Sequence, residues 1–232
     1  RGFALDNLSL RNFHFVLFEH ATAAKSVLNS FLYAGVSATA VVILTLGVAY
    51  IVTRRLVPFG GILGFLCIAP FVIPGVVLAI GFYAAYAPPP LALYGTALIL
   101  ILAFTTRFLP IGYVNASAAI RSLNPEMEEA VRVLGGSRLT ALRRVVAPLL
   151  KRSLLGAWLL IFIPATRELS AAIFLYGPNT KVASVMIFDM SEEGNFEYLS
   201  ALALILQVLT LPLLWIGQKA LGRDFMLRRT AT

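Results

Sequence analysis

Five apolar runs, each about long enough to cross a bilayer and parted by short polar or basic stretches, leave this chain few folds to choose from. They cover about 27–52, 62–87, 91–114, 153–176 and 199–221. Composition agrees: 59% of the 232 residues are hydrophobic and 13% charged, against roughly 45–50% and 25% in soluble domains. The mean hydropathy is +0.85. A water-soluble globule is excluded. In hydrocarbon every backbone N–H and C=O must find a partner within the protein, so apolar runs of this length are expected as helices. The fold class expected is all-α: a polytopic membrane bundle of about five transmembrane helices.

The runs differ in regularity. The first ends at Thr53-Arg54-Arg55, a charged stop. The second carries Pro70, Pro74, Gly75 and Gly81 and is expected to kink. Pro88-Pro89-Pro90 forces a turn before the third run, which holds Arg107 near its end, where snorkelling to the interface is expected. Arg167-Glu168 interrupts the fourth. Neighbours on a helix point about 100° apart, so these two are expected to find different partners. With Ser170 they are candidates to line or gate a translocation path; interhelical tethering is the alternative. Tyr33, Tyr83, Tyr86, Tyr94 and Tyr176 fall near predicted outer ends and are expected as interfacial anchors.

A net charge of +8 raises the question of nucleic acid, but the basic residues flank the apolar runs. Placing the N-terminus outside collects Arg54, Arg55, seven basic residues from Arg121 to Arg152, and Lys219, Arg223, Arg228 and Arg229 on the cytoplasmic side. Arg1, Arg11, Lys25 and Lys181 remain outside, with the acidic stretch from Asp189 to Glu197. The positive-inside rule therefore predicts an N-out, C-in chain of a bacterial inner membrane, with lipid rather than nucleic acid as its surroundings. The organisation expected is an N-terminal periplasmic or interfacial segment over 1–26, a transmembrane domain over 27–221 with a loop at 115–152, and a cytoplasmic tail over 222–232. The opening residues lack the layout of a signal peptide, and the start reads as a cut or interior boundary. Cys67 stands alone, so no thiolate cluster or disulfide framework can form within one chain. His14 and His20 are expected as surface residues.

The 115–152 loop is too charged to span. Asn124-Pro125-Glu126 reads as a helix start, with a cap, a proline in the first turn and acids against the positive dipole end. Met127, Ala130, Val131 and Leu134 recur at helical spacing, Gly135-Gly136 breaks the helix, and Ser137 can cap a second one carrying Leu139, Leu142, Val145 and Val146. An amphipathic helix resting on lipid headgroups would share that pattern.

The loop also resembles the signature of permease subunits of binding-protein-dependent ABC importers: Glu-Ala-Ala, three residues, Gly, nine residues, Ile-x-Leu-Pro. Glu129-Ala130, Gly135 and Pro148 fall at that spacing; Val131, Val145 and Ala147 depart from it while staying apolar. Arg167-Glu168-Leu169-Ser170-Ala171, Tyr176-Gly177-Pro178 and Glu192-Glu193-Gly194-Asn195-Phe196 look most like the C-terminal half of fused ferric iron permeases. The resemblance implies a loop that docks on a separate cytoplasmic ATPase through Glu128, Glu129, Ala130, Leu134, Gly135, Ser137 and Pro148. It implies no cofactor on this chain, with ATP and Mg on the ATPase subunits, and as partners a periplasmic substrate-binding protein and a second transmembrane half, fused or separate. Ferric iron as substrate rests on the resemblance alone. No phosphate-binding glycine-lysine motif, His-Glu-x-x-His or Gly-x-Ser-x-Gly occurs, so the chain is not expected to be an enzyme. The alternative is a secondary transporter or channel, which leaves the Glu129, Gly135 and Pro148 spacing unexplained.

Overall fold

The computed structural model describes residues 9–221. The tail expected over 222–232 and the first eight residues of the expected N-terminal segment lie outside the described residues. All regular structure among the described residues is helical. The elements are α1 (Arg11–His14), α2 (Ala21–Thr53), α3 (Gly60–Ile68), α4 (Gly75–Tyr86), α5 (Ala97–Arg121), α6 (Glu126–Val133), α7 (Arg138–Ala165), α8 (Ala172–Leu175), α9 (Ala183–Glu192) and α10 (Phe196–Leu221).

Helices α2, α5, α7 and α10 are each long and apolar enough to cross a membrane. The second crossing in chain order is broken: Gly60–Phe71 and Gly75–Tyr86 meet at 113°. The broken pair starts where a Cβ on Gly60 would lie 3.6 Å from the Val52 backbone, near the C-terminal end of α2. It ends where Phe82 and Tyr86 pack in one cluster with Ala97 and Ile99, at the start of α5. It therefore travels from one end of the bundle to the other despite the bend.

Helix α2 has 33 residues, about 50 Å at 1.5 Å per residue, and so outruns a hydrocarbon core of about 30 Å. It begins at Ala21, six residues before the apolar run, because the His20 ring nitrogen accepts from the Ala23 N–H (3.2 Å) and caps it. Its first turns pack through Ala23 and Val27 on Val16, Met186, Met190, Ala201 and Leu202, drawing α9 and the start of α10 together. Phe15 stacks on Tyr198 with ring centroids 4.4 Å apart.

The central packing is α2 against α5. Lipid tails are as apolar as leucine, so helices in a bilayer associate through close approach and interhelical hydrogen bonds. A Cβ on Gly112 would lie 2.5 Å from Val41 Cγ1 and 2.8 Å from Thr45 Oγ1, so glycine permits this approach. The Ser37 hydroxyl donates across to the Ile101 carbonyl (3.1 Å). Around this pair, Leu78, Phe82, Phe104, Phe108, Ile161 and Leu175 complete the main core.

Four sequence expectations need correction here. Helix α5 runs on to Arg121, past polar Asn115 and Ser117; the Asn115 amide donates back to the Ile111 carbonyl (2.8 Å), so the side chain is satisfied within its own helix. Arg107 is consequently mid-helix and not at an end. The fourth crossing is displaced: α7 starts at Arg138 inside the charged loop and stops at Ala165, so the expected second loop helix and fourth span are one helix, joined through a π-helical turn at Leu142–Val146. Tyr33 is buried in the main core, where it anchors helices to each other and not to the interface, while Tyr83 and Tyr94 remain exposed and meet edge to face at 5.0 Å.

Candidate functional site

The loop helix α6 is built much as its residues dictate. The Asn124 side-chain oxygen accepts from the Glu126 N–H (3.0 Å), and Glu126, Glu128 and Glu129 crowd the first turn, where the helix dipole favours negative charge. The chain turns at Gly135, whose φ of +82° lies in the left-handed region that favours glycine. A Cβ on Gly136 would lie 2.6 Å from Val131 Cγ1, so the second glycine lets the turn fold back on α6. The Ser137 hydroxyl then accepts from the Thr140 N–H (3.1 Å) and starts α7.

One side of α6 is bare. Glu129, Ala130, Leu134, Gly135 and Ser137 are exposed, as is Pro148 on α7. Val133 and Leu134 are 86% and 87% exposed, so two aliphatic side chains face outward at the tip of the helix. The sequence pattern had marked Leu134 but not Val133, because Val133 falls off the apolar stripe.

Glu128, grouped with Glu129 in the sequence reading, points the other way. It is 8% exposed, and its carboxylate accepts from the Tyr50 hydroxyl (2.8 Å) and from Arg54 Nε (2.9 Å), with Arg54 Nη2 at 2.7 Å. The same Nη2 reaches the Ile120 and Leu123 carbonyls at 3.5 and 3.2 Å. The cation thus meets carbonyls at the C-terminal end of α5, where positive charge is favoured. The signal was present in the sequence. Tyr50 and Arg54 stand four apart on one helix face, and the step of about 100° from Glu128 to Glu129 sends the two carboxylates in different directions.

A second cluster lies at the break between α3 and α4. Arg107 Nη1 donates to the Ile73 carbonyl (2.9 Å), a group freed by the break. Snorkelling is therefore replaced by an internal partner. A Cβ on Gly75 would lie 2.7 Å from Ser170 Cβ and 3.6 Å from Arg107 Cζ, so the start of α4, Arg107 and Ser170 converge at one point inside the bundle. The sequence had identified Ser170 and Arg107 separately and gave no sign that they meet.

Arg167 and Glu168 follow the end of α7 and do not interrupt a span. The Thr166 hydroxyl donates to the Ile163 carbonyl (2.7 Å) where the helix stops. Arg167 Nη2 donates to Gln207 Oε1 of α10 (2.5 Å). Glu168 Oε1 accepts from the Ala171 N–H (3.2 Å), and its carbonyl accepts from the Ser184 hydroxyl of α9 (2.8 Å). Each residue has its own partner, and both lie in a connection that joins α7 to the far end of the molecule.

Comparison with known proteins places this geometry in context. Over 195 residues the chain is 33% identical to the ferric transport system permease protein FbpB of Actinobacillus pleuropneumoniae, an alignment covering 82% of this chain and 28% of that protein. It is 36% identical over 157 residues to a putative ferric transport system permease protein of Haemophilus influenzae, covering 68% and 25%. The chain thus spans about a quarter of the length of these relatives. It is also 31% identical over 180 residues to the sulfate transport system permease protein CysT of Salmonella typhimurium, covering 72% and 65%. A bacterial alginate ABC transporter, solved as a crystal structure in complex with an alginate pentasaccharide-bound periplasmic protein, contains a chain of the same fold. The TM-score is 0.74 at 18% identity, covering 92% of this chain and 83% of that one. Residues 42–221 match the model of the binding-protein-dependent transport system inner membrane component family, so most of the bundle, the loop helix and the broken crossing all fall within it. This chain belongs to that family of membrane permeases.

Proposed function

We propose that this chain is a transmembrane part of an ATP-driven importer, forming a translocation path and taking its drive from a separate ATPase subunit. The observation that carries the reading is the bare side of α6: Val133 and Leu134 outward beside Glu129 and Ala130, above the Gly135 turn. Exposed aliphatic side chains beside a carboxylate fit a groove in another protein better than water. In this reading Glu129 meets basic or polar groups of the ATPase, Ala130 allows close approach, and Gly135 and Ser137 set the angle between α6 and α7. Pro148 marks the entry of α7 into the bundle. ATP and Mg are held by the partner.

The loop face is assigned to the cytoplasm because Arg54, Arg55, Arg121 and the basic residues of 132–152 gather there, which puts the C-terminus inside and the N-terminus outside. A binding protein then delivers cargo at the opposite end. The path runs beside the α3–α4 break, where Ser170, Gly75 and Arg107 converge, with Arg167 and Glu168 holding its wall. Ferric iron is the cargo we assign, supported by the identity to ferric permeases over most of this chain.

Proteoliposomes containing this subunit with its ATPase, second membrane half and binding protein test the reading. Gly135→Asp is expected to abolish ATP-dependent iron uptake while the complex still assembles and hydrolyses ATP. Uptake that needs no ATPase and ignores the substitution would point to a secondary transporter. Sulfate or spermidine carried in preference to iron would reassign the cargo.

A further inference from the structure

We infer that Tyr50, Arg54 and Glu128 form the joint through which movement of α6 reaches α2 and α5, making Arg54 and Glu128 positioning residues for transport. The inference rests on the reading of α6 as the docking element. Two routes lead from α6 into the bundle. One is the chain itself, through Gly135-Gly136 into α7. The other is polar: among the described residues, every side-chain hydrogen bond from α6 to a span ends on the Glu128 carboxylate.

The geometry suits force transfer better than adhesion. Glu128 is tied by one oxygen to Tyr50 on α2 and by the other to Arg54 at the C-cap of α2, while the Arg54 guanidinium holds the Ile120 and Leu123 carbonyls at the end of α5. Three elements therefore meet at one ion pair, with side chains 14% and 10% exposed. Apolar contacts between α6 and the bundle could slide over one another. A carboxylate fixed at both oxygens inside a low-dielectric pocket has one arrangement to lose, and holding register is the best-attested use of such a pair. Glu129, one residue on, stays free for the partner. The two acids thus divide the work: one faces the engine and the other faces the load.

The test uses the assembled importer in proteoliposomes, reading iron uptake per ATP hydrolysed together with assembly by size-exclusion chromatography. Glu128→Gln and Arg54→Gln are expected to lower uptake per ATP at least fivefold in complexes that still assemble, with ATP hydrolysis less responsive to the loaded binding protein. Tyr50→Phe, which removes one of the bonds, is expected to lower it about twofold. Arg54→Lys, which keeps the positive charge beside Glu128 and the α5 carbonyls but not the two-pronged contact, is expected to retain more of the ratio than Arg54→Gln. Unchanged uptake per ATP in Glu128→Gln overturns the joint while leaving the function reading intact. Loss of assembly in every variant, the charge-keeping Arg54→Lys and Tyr50→Phe included, reduces the cluster to a fold determinant and overturns it too. Wild-type uptake that needs no ATPase overturns both readings at once.

Discussion

The two ends of the bundle are held together in different ways. At the end carrying α6, a single charged cluster joins α2, α5 and the loop helix. At the other end many neutral bonds share the task. The Asn29 amide donates to the Asn179 and Lys181 carbonyls, the Ser30 hydroxyl accepts from the Ala183 N–H (2.8 Å), and the Thr180 hydroxyl bridges the Gly95 carbonyl and the Gly177 N–H. Lys181 and Asp189 pair at the rim, 22% and 28% exposed. One end has a joint and the other a mesh. A mesh keeps its shape when one strand is cut, whereas a joint transmits or fails as a unit.

The largest expected effect tests the joint. Glu128→Ala leaves Arg54 buried without its counter-charge and is expected to cost about 3–5 kcal/mol, read by equilibrium unfolding in mixed micelles. Next comes Gly177→Ala. A Cβ there would lie 2.6 Å from the Gly95 carbonyl oxygen and 2.9 Å from its Cα, and backbone cannot step aside, so a loss of about 1–3 kcal/mol is expected in the same assay. Ser30→Ala removes one strand of the mesh and is expected to cost about 1 kcal/mol, with faster hydrogen exchange at the Ala183 amide as its local signature. Lys181→Ala is expected to cost less than about 1 kcal/mol, and adding salt should shrink that further. Should Glu128→Ala cost no more than Ser30→Ala, the contrast between the two ends is wrong. Should Ser30→Ala and Lys181→Ala together cost less than the sum of their separate costs, the two bonds depend on each other and the mesh is more cooperative than described.

Hydropathy located the first, third and fifth crossings because long apolar runs have little choice in a bilayer, and Asn124, Gly135 and Ser137 announced the loop helix through local chemistry that needs no distant partner. Where polarity was the guide, boundaries slipped. Asn115 carries α5 onward by bonding its own helix, and Arg143, Arg144, Lys151 and Arg152 ride on exposed turns of α7, so neither ends a helix. Pro70 and Pro74 signalled a bend but not one of 113°. What stayed hidden was pairing at long range. Tyr50 and Arg54 stand more than 70 residues from Glu128, and Arg107 stands 34 from Ile73; spacing on a single helix cannot reveal a partner on another.

The π-helical turn at Leu142–Val146 has a consequence for how the sequence tolerates change in length. Such a turn accommodates one extra residue, and one residue corresponds to about 100° of rotation in an α-helix. The turns facing α6 and the turns of α7 inside the bundle are therefore set in phase by the length of this stretch. Deleting one residue there would let the ordinary repeat close with the two flanks still nearly in phase, whereas inserting one would swing everything before it by about 100°, carrying Leu139 and the attached α6 off their bearing. Within 142–146, Arg143 and Arg144 are exposed while Val146 is buried in one cluster with Tyr50 and Ile120, so replacement reads as surface change at the first two and as core change at the last; insertion alters an angle.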